Sequence, residues 1–186
     1  MKILFISLGC DKNLADSEEM LGLLTGNGHE IVDSEEEADA IVINTCCFIH
    51  DAKEESVNTI LEMAEYKKTG TCKILIVTGC MAQRYKEEIT EEIPEVDAVL
   101  GTTSYGDIVK ALNEAEAGHV FREFKDINAL PEDSGRRVIT TGGHFGYLKI
   151  AEGCDKHCTY CIIPSLRGKF RSVPEERLLK QAEYMA

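Results

Sequence analysis

Apolar runs of strand length alternate with stretches of helical spacing over the first 118 residues, and this alternation limits the possible folds more than any other feature of the sequence. Residues 2–8, 39–44, 73–78 and 97–100 read as short buried strands, with a weaker one at 29–33. Between them lie helical patterns. Leu14, Leu21 and Leu24 mark one helix, and Gly26-Asn27-Gly28 stops it. Asp51, with Glu54 three residues on, reads as the N-cap of a second helix whose apolar face is Val57, Ile60, Leu61 and Ala64. A third is expected from Gln83 to Glu92, ended by Pro94. A fourth follows a Ser104/Asp107 capping pattern and carries Ile108, Leu112 and Ala115 as far as Gly118. Strand and helix in strict alternation predict an α/β fold, a parallel sheet with helices on both faces joined by right-handed crossovers.

Three of these strands end on a thiol. Cys10, Cys46 and Cys80 each follow the carboxyl end of a predicted strand, the edge where sites gather in open parallel sheets. They are expected to meet in space although more than thirty residues separate each from the next. Three thiolates suit an iron-sulfur cluster with one iron left open, and Gly9 and Gly79 would let backbone approach the sulfurs. The alternative is that all three are small buried hydrophobes. Cys47 should face away from Cys46 and pack, and Cys72, at the opposite edge, receives no role.

A second triplet is local. Cys154, Cys158 and Cys161 stand at C-x-x-x-C-x-x-C spacing, so one loop can wrap a single metal centre with three ligands. A structural zinc normally takes four protein ligands, so zinc would need His157 or a distant residue as well. A chance grouping of thiols is the other alternative. Tyr160, between two of the cysteines, is either a packing residue or a platform for a ring. With eight cysteines and no secretion signal after Met1, metal or redox chemistry is expected rather than disulfides. No apolar run is long enough for a bilayer, so no membrane partner and a cytoplasmic location are expected.

The chain divides in composition as well. Residues 1–123 read as one domain, and 124–143, with Pro131, Ser134, Gly135, Gly142 and Gly143, as a linker. Residues 144–186 open a second domain, with a strand at 147–151, the cysteine loop, and a helix started by Pro174 that carries Leu178, Leu179 and Ala182. That helix still shows its pattern at Ala186, so this reads as the first βα unit of something longer. The net charge of −13 is uneven: residues 1–134 hold 28 acidic and 11 basic side chains, and residues 135–186 hold 5 and 9. An acidic first part disfavours direct nucleic-acid binding and suits a basic protein partner, unless the acidity serves solubility alone. Arg167, Lys169 and Arg171 are either solvated or placed to meet an anion.

Cys154-x-x-x-Cys158-x-Tyr160-Cys161 resembles the signature of radical S-adenosylmethionine enzymes. Ser7-Leu8-Gly9-Cys10-Asp11-Lys12-Asn13, Asp16-Ser17-Glu18, Asn44-Thr45-Cys46 and Thr78-Gly79-Cys80 resemble the amino-terminal domain of the methylthiotransferases within that group. The resemblance implies a Rossmann-like first domain, the start of a partial barrel after it, two [4Fe-4S] clusters and S-adenosylmethionine. It implies Cys154, Cys158 and Cys161 as ligands of the radical-generating cluster, Tyr160 beside the adenine, and Cys10, Cys46 and Cys80 as ligands of the second. Together with Cys161-Ile162-Ile163-Pro164-Ser165-x-Arg167-Gly168, the motifs are more similar to members that modify an aspartate of a small-subunit ribosomal protein than to those acting on tRNA. An electron donor such as a flavodoxin-like protein is implied too. Cys47 departs from the family pattern, where a small residue such as glycine is expected.

Overall fold

The computed structural model describes residues 1–132 and 135–186; Ser134, one of the loop signals, lies outside the described residues. Six strands form one parallel sheet: β1 (Lys2–Ser7), β2 (Glu30–Val32), β3 (Ala40–Thr45), β4 (Ile74–Gly79), β5 (Ala98–Leu100) and β6 (Phe121–Glu123). Their spatial order is β2-β1-β3-β4-β5-β6, every pair parallel. The order reverses between β1 and β3, the switch point at which loops diverge and leave a crevice.

β3 and β4 are buried along their whole length, which is why Ile41-Val42-Ile43 and Leu75-Ile76-Val77 are unbroken apolar runs rather than alternating ones. Alternate residues feed two cores. On one face Ile41, Ile43, Leu75 and Val77 pack with Ile60, Met63 and Ala64 of α2 (His50–Thr69) and Ile89 of α4 (Lys86–Glu92), beyond α3 (Cys80–Arg84). On the other, Ile3, Val42 and Ile76 pack with Met20 and Leu24 of α1 (Asp11–Gly26) and Ile108 and Leu112 of α5 (Ile108–Glu116). Each such isoleucine, leucine, valine or methionine contributes about 1.5–3 kcal/mol by leaving water.

Several local expectations change. The second helix starts at His50 with Ile49 at the N-cap, so Asp51 lies inside the first turn, where its charge meets the helix dipole instead of capping it. The third begins at Cys80 and breaks at Tyr85 into α3 and α4. Ser104 makes no cap; a 3-10 turn at Tyr105–Asp107 precedes α5, and the Ser104 hydroxyl accepts from the Lys125 amide. β6 is an edge strand of three residues, too short and too polar to show in an apolar pattern.

Beyond β6 the described residues up to 150 are irregular. The strand expected at 147–151 is only β7 (Ala151–Glu152), paired antiparallel with β8 (Arg171–Ser172), a strand of two residues that no apolar run marks. Between them lies α6 (Ile163–Arg167), and after them α7 (Glu175–Met185), preceded by Pro174 as expected. α7 has no buried residue, and Leu179 on its apolar face is exposed.

Candidate functional site

Cys10, Cys46 and Cys80 follow β1, β3 and β4, three neighbouring strands flanking the switch point. Register explains how they differ. Ser7 lies level with Asn44, and Thr45 with Gly79, so continuing the ladder puts Cys46 beside Cys80 but Gly9, not Cys10, beside Cys46. A Cβ on Gly9 would stand 2.6 Å from Cys46 Cβ and 2.9 Å from its Sγ. Cys46 and Cys80 are buried; Cys10, the N-cap of α1, is exposed. Gly9 and Gly79 have φ of 92° and 93°, and a Cβ on Gly79 would strike the Asn44 carboxamide and the Thr45 backbone.

The rim is held by polar side chains that the thiol spacing does not reveal. Ser56 of α2 accepts from the Cys46 amide (3.0 Å) and donates to its carbonyl (2.8 Å). Asn13 donates to the carbonyls of Leu8 (2.9 Å) and Thr45 (3.0 Å), and its own carbonyl faces the Cys80 thiol at 3.8 Å. Asn44 donates to the Asn13 carbonyl and to Ser17 Oγ, each at 2.9 Å. Burial pushes the Cys80 thiol up; Arg167 opposes the shift while Cys46 and Asp16 add to it. Cys47 sits in the apolar cluster with Ile60 and Met63, and burial pushes its thiol to about 11, with Cys80 adding. Cys72 is likewise buried and raised, its thiol donating to the Ile74 carbonyl at 3.3 Å.

Cys154, Cys158 and Cys161 lie on an irregular loop between β7 and α6, Cys158 exposed and the other two half-buried. The loop is closed at its base, where the Cys154 amide donates to the Gly168 carbonyl (3.0 Å), and inside, where the Cys161 amide donates to the Cys158 carbonyl (3.0 Å). His157, at φ 45°, is the one described non-glycine residue in the left-handed region, a strain that clusters at ligand-binding loops. Tyr160 is 88% exposed.

The two cysteine-bearing regions are clamped by buried charge. Asp16 of α1 accepts from Arg167 (2.6 Å) and pairs with Lys149; Lys149 also pairs with Glu152 at 2.7 Å. Burial works against the Asp16 carboxylate, but Lys149 and Arg167 outweigh it and hold its pKa below the usual range. Burial likewise opposes the charge on Lys149, and Asp16, Tyr105 and Glu152 overcome it and raise its pKa. Glu18, fully buried, accepts from Arg137 Nε (2.8 Å) and from the Thr140 amide (2.7 Å) and hydroxyl (2.9 Å). Lys12 adds a bond to the Ala151 carbonyl (2.8 Å). Of the three bases read as solvated or anion-binding, Arg167 meets an anion from its own chain, Arg171 donates to the Arg167 carbonyl (3.1 Å), and Lys169 is exposed. The sequence carries half of the signal for this clamp, since Asn13, Asp16, Ser17, Glu18 and Glu19 are polar and consecutive or nearly so; the fold adds that all five are buried on α1, where a polar group needs a polar partner.

The donor type of both triplets fits an iron-sulfur centre, and the glycine at Gly9 leaves room against Cys46 that a side chain would fill. Among the described residues, however, no three His, Cys, Asp or Glu side chains are gathered as a ready set for one metal ion. Cys46 and Cys80 are brought side by side by the sheet, Cys10 stands one register step away, and the second triplet is carried on the loop.

Among the described residues no helix is long and apolar enough to cross a membrane. Residues 2–101 match the family described as Uncharacterized protein family UPF0004. The whole chain is similar to proteins named ribosomal protein uS12 methylthiotransferase RimO: 64% identical over 186 residues in Lachnoclostridium phytofermentans, 50% over 186 in Clostridioides difficile and 49% over 192 in Acetivibrio thermocellus. In each case all of this chain is covered and 42% of the relative, so the chain spans about two fifths of the length of the curated relatives it matches. The likeness to methylthiotransferases carried by the Cys10, Cys46, Cys80 and Cys154 motifs thus extends over every part of the sequence. With over half of its length matched by the family as a whole, the chain belongs to the uncharacterized protein family UPF0004.

Proposed function

We propose that this chain is part of a radical S-adenosylmethionine methylthiotransferase that adds a methylthio group to the β-carbon of an aspartate in a basic small-subunit ribosomal protein. The observation that carries the reading is similarity over the whole of this chain to proteins named uS12 methylthiotransferases, in a chain whose two thiol triplets lie on regions clamped together by Asp16, Lys149 and Arg167. Cys154, Cys158 and Cys161 would hold one [4Fe-4S] cluster, with Tyr160 exposed where it can lie against the adenine. Cys10, Cys46 and Cys80 would hold a second [4Fe-4S] cluster concerned with the sulfur. When bound, the first cluster and S-adenosylmethionine supply a one-electron cleavage of a carbon-sulfur bond, which calls for an electron donor of the flavodoxin kind.

In this reading the protein's own contribution is placement. The sheet rim places two of three thiols before any metal arrives, and the loop leaves Cys158 exposed with Cys154 and Cys161 half-buried. We read residues 1–123 as the first domain, 124–143 as the connection and 144–186 as the start of the second, with the protein acting in the cytoplasm. The excess of acid over base before residue 135 supports a basic protein substrate over tRNA.

The test is iron and sulfide content after anaerobic reconstitution of the chain, beside its Cys10→Ala and Cys154→Ala variants. Two separate losses of about one cluster each are expected. Zinc in place of iron, or a single loss common to both variants, overturns the two-centre scheme. Because the chain spans 42% of the relatives' length, cluster binding without turnover is expected of it alone, and methylthiolation of the ribosomal protein by the isolated chain would prove that wrong.

A further inference from the structure

The carboxamide of Asn13 is fully buried and touches four segments at once. Its nitrogen donates to the Leu8 carbonyl at the end of β1 and to the Thr45 carbonyl at the end of β3; its oxygen meets the Cys80 thiol after β4 and accepts from Arg167 Nη2. These are the three strand ends that carry Cys10, Cys46 and Cys80. A carboxamide has two orientations of similar shape, and in the flipped one its NH2 group would turn from the two carbonyls toward the guanidinium.

A guanidinium has five donors and no acceptor, so it accepts only the orientation in which the Asn13 oxygen faces it. That orientation is the one that points the NH2 group at Leu8 and Thr45. Arg167 is itself held, 4% exposed, by Asp16 at 2.6 Å and by Glu152 at 3.5 Å. It belongs to α6, six residues after Cys161, so the residue that selects the Asn13 orientation is delivered by the other cysteine region. A lysine at this place would keep the charge but lose the planar fork that reaches Asp16 and Asn13 together.

We infer that Arg167 is a positioning residue for the thiols of Cys46 and Cys80, acting through Asn13, so that the segment bearing Cys154, Cys158 and Cys161 sets the ligand geometry of the first triplet. The inference rests on the proposed two-centre reading and adds a direction of control to it: the first site is complete only when the second region is docked.

The experiment uses the chain with Cys154, Cys158 and Cys161 all changed to Ala, so that iron can enter only at the first triplet. In that background Arg167→Lys, the pair Asp16→Asn with Arg167→Met, and Asn13→Asp are compared after anaerobic reconstitution. The Asp16→Asn change spares the double variant a stranded buried carboxylate, and Asn13→Asp keeps an acceptor for Arg167 while removing both donors. Iron loss to a chelator at least about tenfold faster than in the parent, with a shifted electron paramagnetic resonance spectrum of the reduced centre, is expected for all three. Melting temperature is followed alongside, because a role in stability alone would lower it without moving the spectrum. Parent-like retention and an unchanged spectrum in any variant that melts with the parent overturn the inference. If the parent background itself takes up no iron, it is the two-centre reading that falls.

Discussion

The two thiol triplets are held in opposite ways. The first is mounted on the ends of β1, β3 and β4, where backbone register and buried side chains such as Ser56 and Asn13 hold Cys46 and Cys80, while Cys10 is exposed. The second rides on a loop tied by two backbone bonds, the closure from Cys154 to Gly168 and the bond from Cys161 to Cys158, and by the Asp155 carboxylate, which accepts from the Phe170 amide. A sheet rim can bring together residues far apart in sequence but fixes their spacing by register, which is why Cys46 and Cys80 are level and Cys10 is one step beyond. A loop can wrap one centre with adjacent residues but gives each sulfur little support. The first triplet sets two of its three thiols among buried side chains; the second leaves one of its three exposed and two half-buried.

The sharpest way to break this contrast is to attack the sheet. Ile76→Asp buries a lone carboxylate at a position with no exposure, and a loss above about 5 kcal/mol is expected, which unfolds the sheet; Cys158→Ala, at an exposed loop position, should leave the urea midpoint unchanged. Next comes the clamp between the regions. Arg167→Met strips Asp16 of one of its two cations and should cost on the order of 3 kcal/mol in urea unfolding, much of it recovered when Asp16→Asn is added. Recovery of nothing would mean that the pair does not join the regions energetically.

Glycines sharpen the comparison at a smaller scale. Gly79→Ala should cost about 1–3 kcal/mol, because φ is 93° and the new Cβ meets Asn44 and Thr45, whereas Gly143→Ala, with φ 82° and open space around it, should cost only about 1 kcal/mol of backbone strain. Equal costs would show that the rim yields as readily as the loop.

The clamp also predicts a pH window. Asp16 has a pKa below its unfolded 3.8, so the unfolded chain binds the extra proton as pH falls, and the contribution is lost below about that pH. Lys149 has a pKa above its unfolded 10.5, so its contribution is present below 10.5 and is lost as pH rises through the folded value. Glu19, raised by burial, works the other way and gains stability as pH falls toward 4.5. The midpoint of urea unfolding measured against pH should therefore be flatter at its acid end in Asp16→Asn than in the parent chain. The smallest effect concerns reactivity alone: iodoacetamide should label the exposed Cys10 and Cys158 before Cys47, Cys72 and Cys80, whose thiols are buried and raised.

Much of the fold was readable because strands buried on both faces must be apolar throughout, and residues 39–44 and 73–78 carry that mark. β6 and β8 were missed because strands of two or three residues at an edge need no apolar run. Asp51 and Ser104 misled because a capping pattern states a preference, and the packing of α2 and the 3-10 turn before α5 set the actual boundaries. Of the candidate site, the thiols were legible by spacing and by position at strand ends. Asn13, Asp16 and Arg167 stood in the motifs but their partners were not legible, and Ser56 drew no notice, since nothing in the local sequence says which distant group a polar side chain will face.

Sequence alone determined the parallel α/β sheet, the strand-end placement of Cys10, Cys46 and Cys80, and the compact spacing of Cys154, Cys158 and Cys161. These follow from periodicity and short-range spacing, which the chain carries locally. Only the tertiary structure decided that β1, β3 and β4 are neighbours, that Cys10 falls one step out of line, and that Arg167 reaches across 151 residues to Asp16 and, through Asn13, to the first triplet. The physical reason is that a buried charge must find its partner wherever packing puts one, and that choice is made by the fold as a whole.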